Sequence, residues 1–590
     1  MPSHPPTLLH ALRATAERIP DTVAVRDLAG ETSWTWRELR SAAIELARGL
    51  HELGVRAGDR VGLLLSNRPE FHLVDLAVAS VGAIPFSIYT TYAPEQIEFV
   101  LKDSGATAIV VEQALLGKAM AAWHNVPDVR DMIVVDGEAP TEVHALADVA
   151  RAGQDSDFDV DGLVRTLDAD TLLTLIYTSG TTGDPKAVEL THGNIAAAAL
   201  ACDGRIPWPD GSRVISWLPA AHIAERIAHH YLPIIFGAEV TCCPDPKLIS
   251  QYLPQVRPTW FFAVPRVWEK MKAGLEAMLY ALPGEQGAHA KTAVREAVRK
   301  VRLEQSGEPV PPDLATAVAA ADGALFAGIR AKLGLDAAHT LNVGAAPTPP
   351  DVLEFFHAIG LPVSELWGLS ESTSAGCSNP PDRIKIGTVG IAARGVQIRL
   401  ADDGEILLRG GVVTRGYRNR PELTAETIVD GWLHTGDIGS IDEDGYLSVV
   451  DRKKELIINA MGKNMSPAMI ESRLKAASPL IGQACCIGDG RPYNTALIVL
   501  DADAAPAWAK NHGIVPGDLV TLAGDERIVA AVEAGVEAAN TRLARVEQIK
   551  KFTIVPGDWL PAGVELTPTM KLRRGPIAAK YAEVIEAMYA

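Results

Sequence analysis

Residues 172–186, LLTLIYTSGTTGDPK, constrain this chain more than any other stretch. The run LLTLIY (172–177) reads as a buried strand, and it passes directly into a loop of hydroxyl residues, two glycines and a lysine. Glycines let backbone N–H groups turn toward an anion, hydroxyls add donors, and Lys186 adds a charge that favours phosphate. The loop is not a Walker A motif, because Asp184 and Pro185 separate Gly183 from Lys186, and no Rossmann G-x-G-x-x-G is present. Read blandly, it is a flexible Ser/Thr/Gly connector; the strand before it and the lysine after it favour the anion site.

From about Thr171 to Gly368 short apolar runs alternate with helical segments, the pattern of parallel sheets covered by helices. PTWFFAVP (258–265) reads as a strand leading into a helix with Pro265 in its first turn. TLNVGAAP (340–347) reads as strand and loop before the helix DVLEFFHAIG. Glu285 to Lys332 reads as surface helices inserted between sheet strands. After Gly387 the texture changes. VQIRLADDGEILLRG and GSIDEDGYLSVV alternate on either side of Asp403-Gly404 and Asp444-Gly445, which marks two hairpins. The expected fold class is α/β. A large N-terminal domain (1–450), with a β-rich unit at about 380–450, would end at a boundary near 451–454, and an α+β C-terminal domain (455–590) would follow.

Length agrees with several units: 590 residues at about 100–200 per domain make roughly three to five. With 55 Lys and Arg against 73 Asp and Glu the net charge is −18, which excludes a nucleic-acid partner bound through a generally basic surface. Residues 451–590 hold 17 basic and 16 acidic groups, so the deficit lies in 1–450 with its 38 and 57. A polyanionic ligand therefore needs local positive groups. Six cysteines, two pairs of them adjacent, show no C-x-x-C spacing, as in a reducing cytosol. The first residues carry no secretion signal pattern, and Leu8, Leu9 and Leu12 space as an amphipathic helix. Apolar stretches near Val74–Ile88 and Tyr231–Cys243 are interrupted by Asp75, Pro85, Pro233 and Glu239 before the ~20 residues of a membrane span. The expectation is a cytoplasmic protein with no transmembrane segment, peripheral membrane contact staying open and oligomeric state undetermined.

YTSGTTGDPK (177–186), ELWGLSES (365–372), GWLHTGDIG (431–439), DRKKELIINAMGKN (451–464) and LTPTMKLRR (566–574) stand in the order found in adenylate-forming acyl-CoA synthetases, which the whole chain resembles. WLPAAHIAER (217–226), FFAVPRVWEK (261–270) and PYNTALIVLD (492–501) are most similar to the long-chain fatty-acid branch. The resemblance implies that Thr178, Ser179, Gly180, Thr181, Thr182, Gly183 and Lys186 cradle the phosphates of ATP. Gly344, Ala345 and Ala346 would line the nucleotide site together with Glu365, Leu366, Trp367 and Gly368, with Trp367 against the adenine. Ser370 would reach the α-phosphate, Glu371 and Thr178 would hold Mg²⁺, and Asp437 and Arg452 would take the ribose. Without the family, Trp367 is as well read as a core aromatic and Asp437 as a turn residue.

The same resemblance puts His222, Arg226, Val343 and Gly344 at the acyl site, and Lys454, Gly462, Lys463 and Asn464 at the hinge and coenzyme A channel. It also implies two αβ-layered sheet subdomains in the large domain, a hinge at 451–454 and mobility of the C-terminal domain. Lys571 becomes the catalytic lysine, beside Thr178 and Glu371; Arg573 and Arg574 are left as a solvated basic run. Two positions depart from the family: Ala187 replaces a common glycine, and Arg226 stands where some members have a gating tryptophan. The implied reaction joins a fatty acid to ATP, releasing pyrophosphate, and passes the acyl group to coenzyme A. The rivals are a fatty acyl-AMP ligase serving a carrier protein, a non-catalytic nucleotide sensor, and a P-loop ATPase or kinase.

Overall fold

The computed structural model describes residues 6–178, 184–458, 464–515 and 517–590. The apolar run at 172 forms strand Leu172–Thr178, but the alternating-layer reading fails around it. The strand pairs antiparallel with Lys186–Thr191, Thr178 opposite Lys186, and Gly416–Tyr417 adds a third strand. The physical reason is length. A parallel return needs a crossover of a dozen or more residues, and only seven separate Thr178 from Lys186.

Parallel layering holds elsewhere. One sheet runs in the order Ile84–Ser87, Arg60–Leu64, Ala108–Val111, Asp131–Val134, His144–Ala145, all parallel. A second places Trp260–Ala263, Thr340–Val343 and Val363–Trp367 side by side in parallel. Strands of both are buried along their length, as expected of sheets covered on two faces. Leu175 and Tyr177 of the hairpin share a hydrophobic cluster with Phe86 and Ile109 of the first sheet.

The helices Pro265–Tyr280, Gly284–Ser306 and Pro312–Ala321 fill the interval between Trp260–Ala263 and Thr340–Val343, with Pro265 in the first turn. Among the described residues one continuous helix, Pro312–Leu333, is long and apolar enough by composition to cross a membrane. It is alanine-rich and carries the ion pair Arg330–Asp322.

The β-rich unit forms both expected hairpins, Val396–Leu400 with Glu405–Gly410 and Trp432–Ile441 with Leu447–Arg452. Its core holds Ile406, Leu408, Leu433 and Leu447. From Ile457 onward the buried apolar residues belong to two further clusters, on opposite faces of the sheet Ile481–Ile487, Asn494–Leu500, Ile549–Ile554. Alternation along the strand sends Cys485 to one face and Cys486 to the other, which accounts for that adjacent pair without metal or disulfide chemistry. The small domain is tied to the large one by Arg266 Nη2, which donates to Asp501 Oδ2 at 2.8 Å, and by Arg542 with Asp351 at 3.2 Å. At the junction Ser466 Oγ donates to Asp451 Oδ2 at 2.6 Å.

Candidate active site

The site is a cleft between the large domain and the turn that carries Lys571. Gly344 follows strand Thr340–Val343 at a close approach: a Cβ there would lie 2.9 Å from Leu366 O. Ala345, next in line, has φ +71°, a left-handed conformation unusual for alanine. At the end of the neighbouring strand Val363–Trp367, a Cβ on Gly368 would come within 2.4 Å of Ser374 backbone, and one on Gly376 within 2.7 Å of the Trp367 ring. These small residues let the backbone fold tightly around the indole.

Trp367 Nε1 donates to Asp437 Oδ2 at 2.8 Å, and Arg452 Nε meets Asp437 Oδ1 at 2.7 Å. Asp437 and Arg452 face each other across the hairpin Trp432–Ile441/Leu447–Arg452. Three residues from separate motifs are thereby brought into one cluster. Burial raises the Asp437 pKa above the usual carboxylate value, with Arg452 and the Trp367 N–H opposing it. Ser370 and Glu371 lie on the 3₁₀ turn Ser370–Ser372. Glu371 Oε1 accepts from the Tyr417 hydroxyl at 2.8 Å, and Tyr417 pairs with Val188 on the strand that Lys186 begins. Thr178 Oγ1 donates to Lys186 O at 3.3 Å, closing the root of the hairpin.

Lys571 keeps contact with solvent inside this cleft, whose walls displace much of the bulk water around it. That lost hydration and the Arg452 charge lower its pKa from the usual lysine range, while Asp437, Glu455 and Glu371 act against the change. Its charge is felt by His222, whose pKa falls to about 4 from burial first and Lys571 second. His222 is therefore neutral near pH 7. Its Nδ1 accepts the Ala224 N–H at 3.2 Å, so it caps the short helix Ile223–Glu225. Glu365 is buried; loss of water pushes its carboxyl up to about 7 against the Thr348 and Gly387 amides, and its Oε2 has no hydrogen-bond partner among the described residues. Of the aromatics Trp260, Phe261 and Phe262, it is Phe262 that lies beside Gly344; Trp260 Nε1 bonds Asn342 Oδ1 and Phe261 stacks on Trp217.

Arg226 is not brought to the cleft. It is fully buried at the start of the π-helical segment Arg226–Tyr231, with Nε on the Tyr231 hydroxyl at 2.9 Å, Nη1 on Ser87 Oγ at 2.7 Å and Nη2 on Asp75. All three guanidinium nitrogens are engaged by the protein and the side chain has no exposed surface to present to an acyl chain. Val343 is also fully buried. Lys454 lies exposed in the turn after Arg452. Ser179, Gly180, Thr181, Thr182, Gly183, Gly462 and Lys463 lie outside the described residues; Asn464 opens the short strand Asn464–Met465. Tyr417 and Gly376 touch Glu371 and Trp367 in the candidate site and lie outside the motifs read from the sequence, where RGY and SAG carry no distinctive spacing.

The family profile described as AMP-binding enzyme matches residues 12–418, and that described as AMP-binding enzyme C-terminal domain matches 454–590. The chain is 46% identical over 448 residues to fadD11 of Mycobacterium tuberculosis, covering 76% of this chain and 78% of that protein. It is 36% identical over 562 residues to the long-chain-fatty-acid–CoA ligase FadD15 of the same species, covering 94% and 91%. Among solved structures, the anthranilate CoA ligase AuaEII superposes with TM-score 0.73 at 19% identity, covering 100% and 99% of the two chains. The adenylation domain of a Mycobacterium chelonae carboxylate reductase gives 0.76 at 20%, covering 99% and 91%; both comparisons establish the fold. With two family profiles spanning most of its length and relatives above 30% identity along it, the chain belongs to the AMP-binding, adenylate-forming enzymes.

Proposed function

We propose that this protein is an ATP-dependent long-chain fatty-acid–CoA ligase. The observation that carries the reading is the Trp367–Asp437–Arg452 cluster within electrostatic reach of Lys571, in a chain whose relatives carry that activity in their names. In the first step the fatty carboxylate attacks the α-phosphorus of ATP and pyrophosphate leaves. Lys571 stabilises charge on the transferring phosphoryl oxygens, Asp437 accepts the ribose hydroxyls, and Trp367, held by its N–H bond to Asp437, flanks the adenine. Neutral His222 positions the acid and takes no proton, since a carboxylate is already ionised at pH 7. Magnesium suits the donor set: the Glu371 carboxylate and the Thr178 hydroxyl are hard oxygens, leaving most of the coordination to phosphates and water. The ion would neutralise phosphate charge.

In the second step the small domain turns about the segment 451–454, withdraws Lys571, and the coenzyme A thiol attacks the acyl carbon to release AMP. Fatty-acid-dependent ATP–pyrophosphate exchange, measured from acetate to very long chains with a parallel coenzyme A thioester readout, tests the whole reading. Exchange and thioester formation with long acids support it. Activity confined to short or aromatic acids overturns the long-chain assignment, and transfer only to a phosphopantetheinyl carrier protein overturns the acceptor.

A further inference from the structure

Two arginines follow Lys571 within three residues, and the two-step reading assigns neither of them a role. As a run they look like a solvated basic face. Their surroundings separate them. Arg573 closes the loop behind it, its N–H donating to Glu565 O at 2.8 Å and Nη1 to Gly563 O at 3.1 Å. Arg574 lies against the small domain with its fork closed: Nη1 and Nη2 donate to Oε1 and Oε2 of Glu471 at 2.6 and 2.9 Å, and Nε meets Glu455 Oε2 at 3.3 Å.

Each partner is itself anchored. Glu471 is buried on the helix Pro467–Ala477, and its Oε1 also accepts the Cys486 N–H at 2.7 Å from strand Ile481–Ile487. Glu455 sits in the turn after Arg452, its N–H donating to Arg452 O at 2.9 Å. Lys571 ends a tight turn: Thr567 N–H donates to Lys571 O at 2.9 Å, Lys571 N–H to Thr567 Oγ1 at 3.1 Å, Leu566 bridges Leu572, and Met570 is left-handed at φ +62°. The turn is closed on itself and rooted at its start by buried Leu566, so the placement of its far end, which carries Lys571, depends on what holds the chain that follows. Three residues span at most about 10 Å, and the Glu471 pair therefore fixes the chain within that reach of Lys571.

We infer that Arg574 is a positioning residue for Lys571. Its fork on Glu471, with Glu455 as third contact, registers the Lys571 turn against the helix Pro467–Ala477 and the segment after Arg452, so that Lys571 enters the cleft in one fixed position. A lysine at 574 keeps the charge but lacks the planar fork that binds both carboxylate oxygens. The inference rests on the reading in which Lys571 serves the first half-reaction.

The test uses the full-length protein, ATP–pyrophosphate exchange for the first half-reaction, and acyl transfer from supplied acyl-adenylate to coenzyme A for the second. Arg574→Lys is expected to lower exchange about 100-fold, the scale of a 1 Å misplacement, with acyl transfer kept within about threefold. The double variant Arg574→Met/Glu471→Met removes the fork without leaving a buried charge alone, although the Cys486 N–H loses its acceptor, and the same split is expected with the thermal midpoint read in parallel. Exchange held within about threefold in both variants, or an equal fall in both half-reactions, overturns the positioning role. So does a loss that merely follows the thermal midpoint in both. Lys571→Ala distinguishes the two failures: if it too lowers both half-reactions equally, the role of Lys571 falls; if it shows the split and the Arg574 variants do not, only the present inference falls.

Discussion

The arginine–aspartate clusters around Asp75 and around Asp437 differ in what remains unused. In the core of the large domain Asp75 accepts from Arg226 and, at 2.9 Å, from His230, while Tyr231 and Ser87 take the other guanidinium nitrogens. Burial alone would raise the Asp75 pKa, yet Arg226 and His230 hold it below the usual value. Both side chains of that pair have 0% exposure. At the cleft, Asp437 is nearly as buried, but Arg452 keeps 46% of its side chain exposed and Lys571 stands beside it with solvent access. Arg452 is paired with Asp437 yet open on one side, and positive charge that is open to solvent is what an anionic substrate needs. A satisfied, closed cluster can do no more than hold the fold.

The contrast is tested most severely at Asp75. Asp75→Ala leaves Arg226 buried without its counter-charge, and stability should fall by about 3–5 kcal/mol in denaturant unfolding, with the ratio of the two half-reactions unchanged in the folded fraction. Selective loss of one half-reaction would break the distinction between the clusters. Lys571→Ala inverts the pattern: adenylation should drop roughly 10²–10³-fold, about 3–4 kcal/mol of barrier, with little change in unfolding and with thioester formation from supplied acyl-adenylate preserved.

Glu365 sharpens the comparison from the carboxylate side. Its folded pKa, about 7, lies above the ordinary 4.5, so between those values the native state holds a proton that the unfolded chain has released. Stability is full below pH 4.5, falls as pH rises through that window, and stays reduced above it, by up to about 3 kcal/mol. Glu365→Gln should therefore raise the thermal midpoint at pH 8 and change little at pH 4; equal midpoints of parent and variant across that range would contradict the buried, raised carboxyl. Tyr417→Phe is the mildest change. Loss of one hydrogen bond to a charged group, about 1.5 kcal/mol, should raise the magnesium needed for half-maximal exchange about tenfold and weaken Mn²⁺ binding by the nucleotide complex. An unchanged metal requirement would separate Tyr417 from the work of Glu371.

Much of the site was legible in the sequence. Trp367, Glu371, Asp437, Arg452 and Lys571 stand in motifs whose order is specific, and the structure joins Trp367 and Arg452 to Asp437 with the charge of Lys571 near them. Residues that support them were not legible. Tyr417 reaches Glu371 across 46 positions and Glu471 reaches Arg574 across 103, and neither lies in a local pattern that announces its partner. Arg226 failed for the opposite reason: its place in a recognisable motif implied the acyl site, whereas its contacts lie with Asp75, 151 residues earlier. The hairpin at Thr178 and Lys186 is legible as a strand and a loop, and the seven residues between them require the antiparallel return that the α/β pattern around them masks.

The sequence by itself determined the element types, the alternation that sorts Cys485 from Cys486, the order of the motifs and the split between an acidic large domain and a near-neutral small one. Each depends on residues near one another along the chain or on simple counts. Which charges are neutralised and which stay open to solvent was settled by the three-dimensional packing: Arg226 and Arg574 are closed on carboxylates, and Lys571, among the described residues, is not. Burial and ion pairing are set by contacts across tens to hundreds of residues, and a side chain's charge acquires its function from those neighbours, not from its place in a motif.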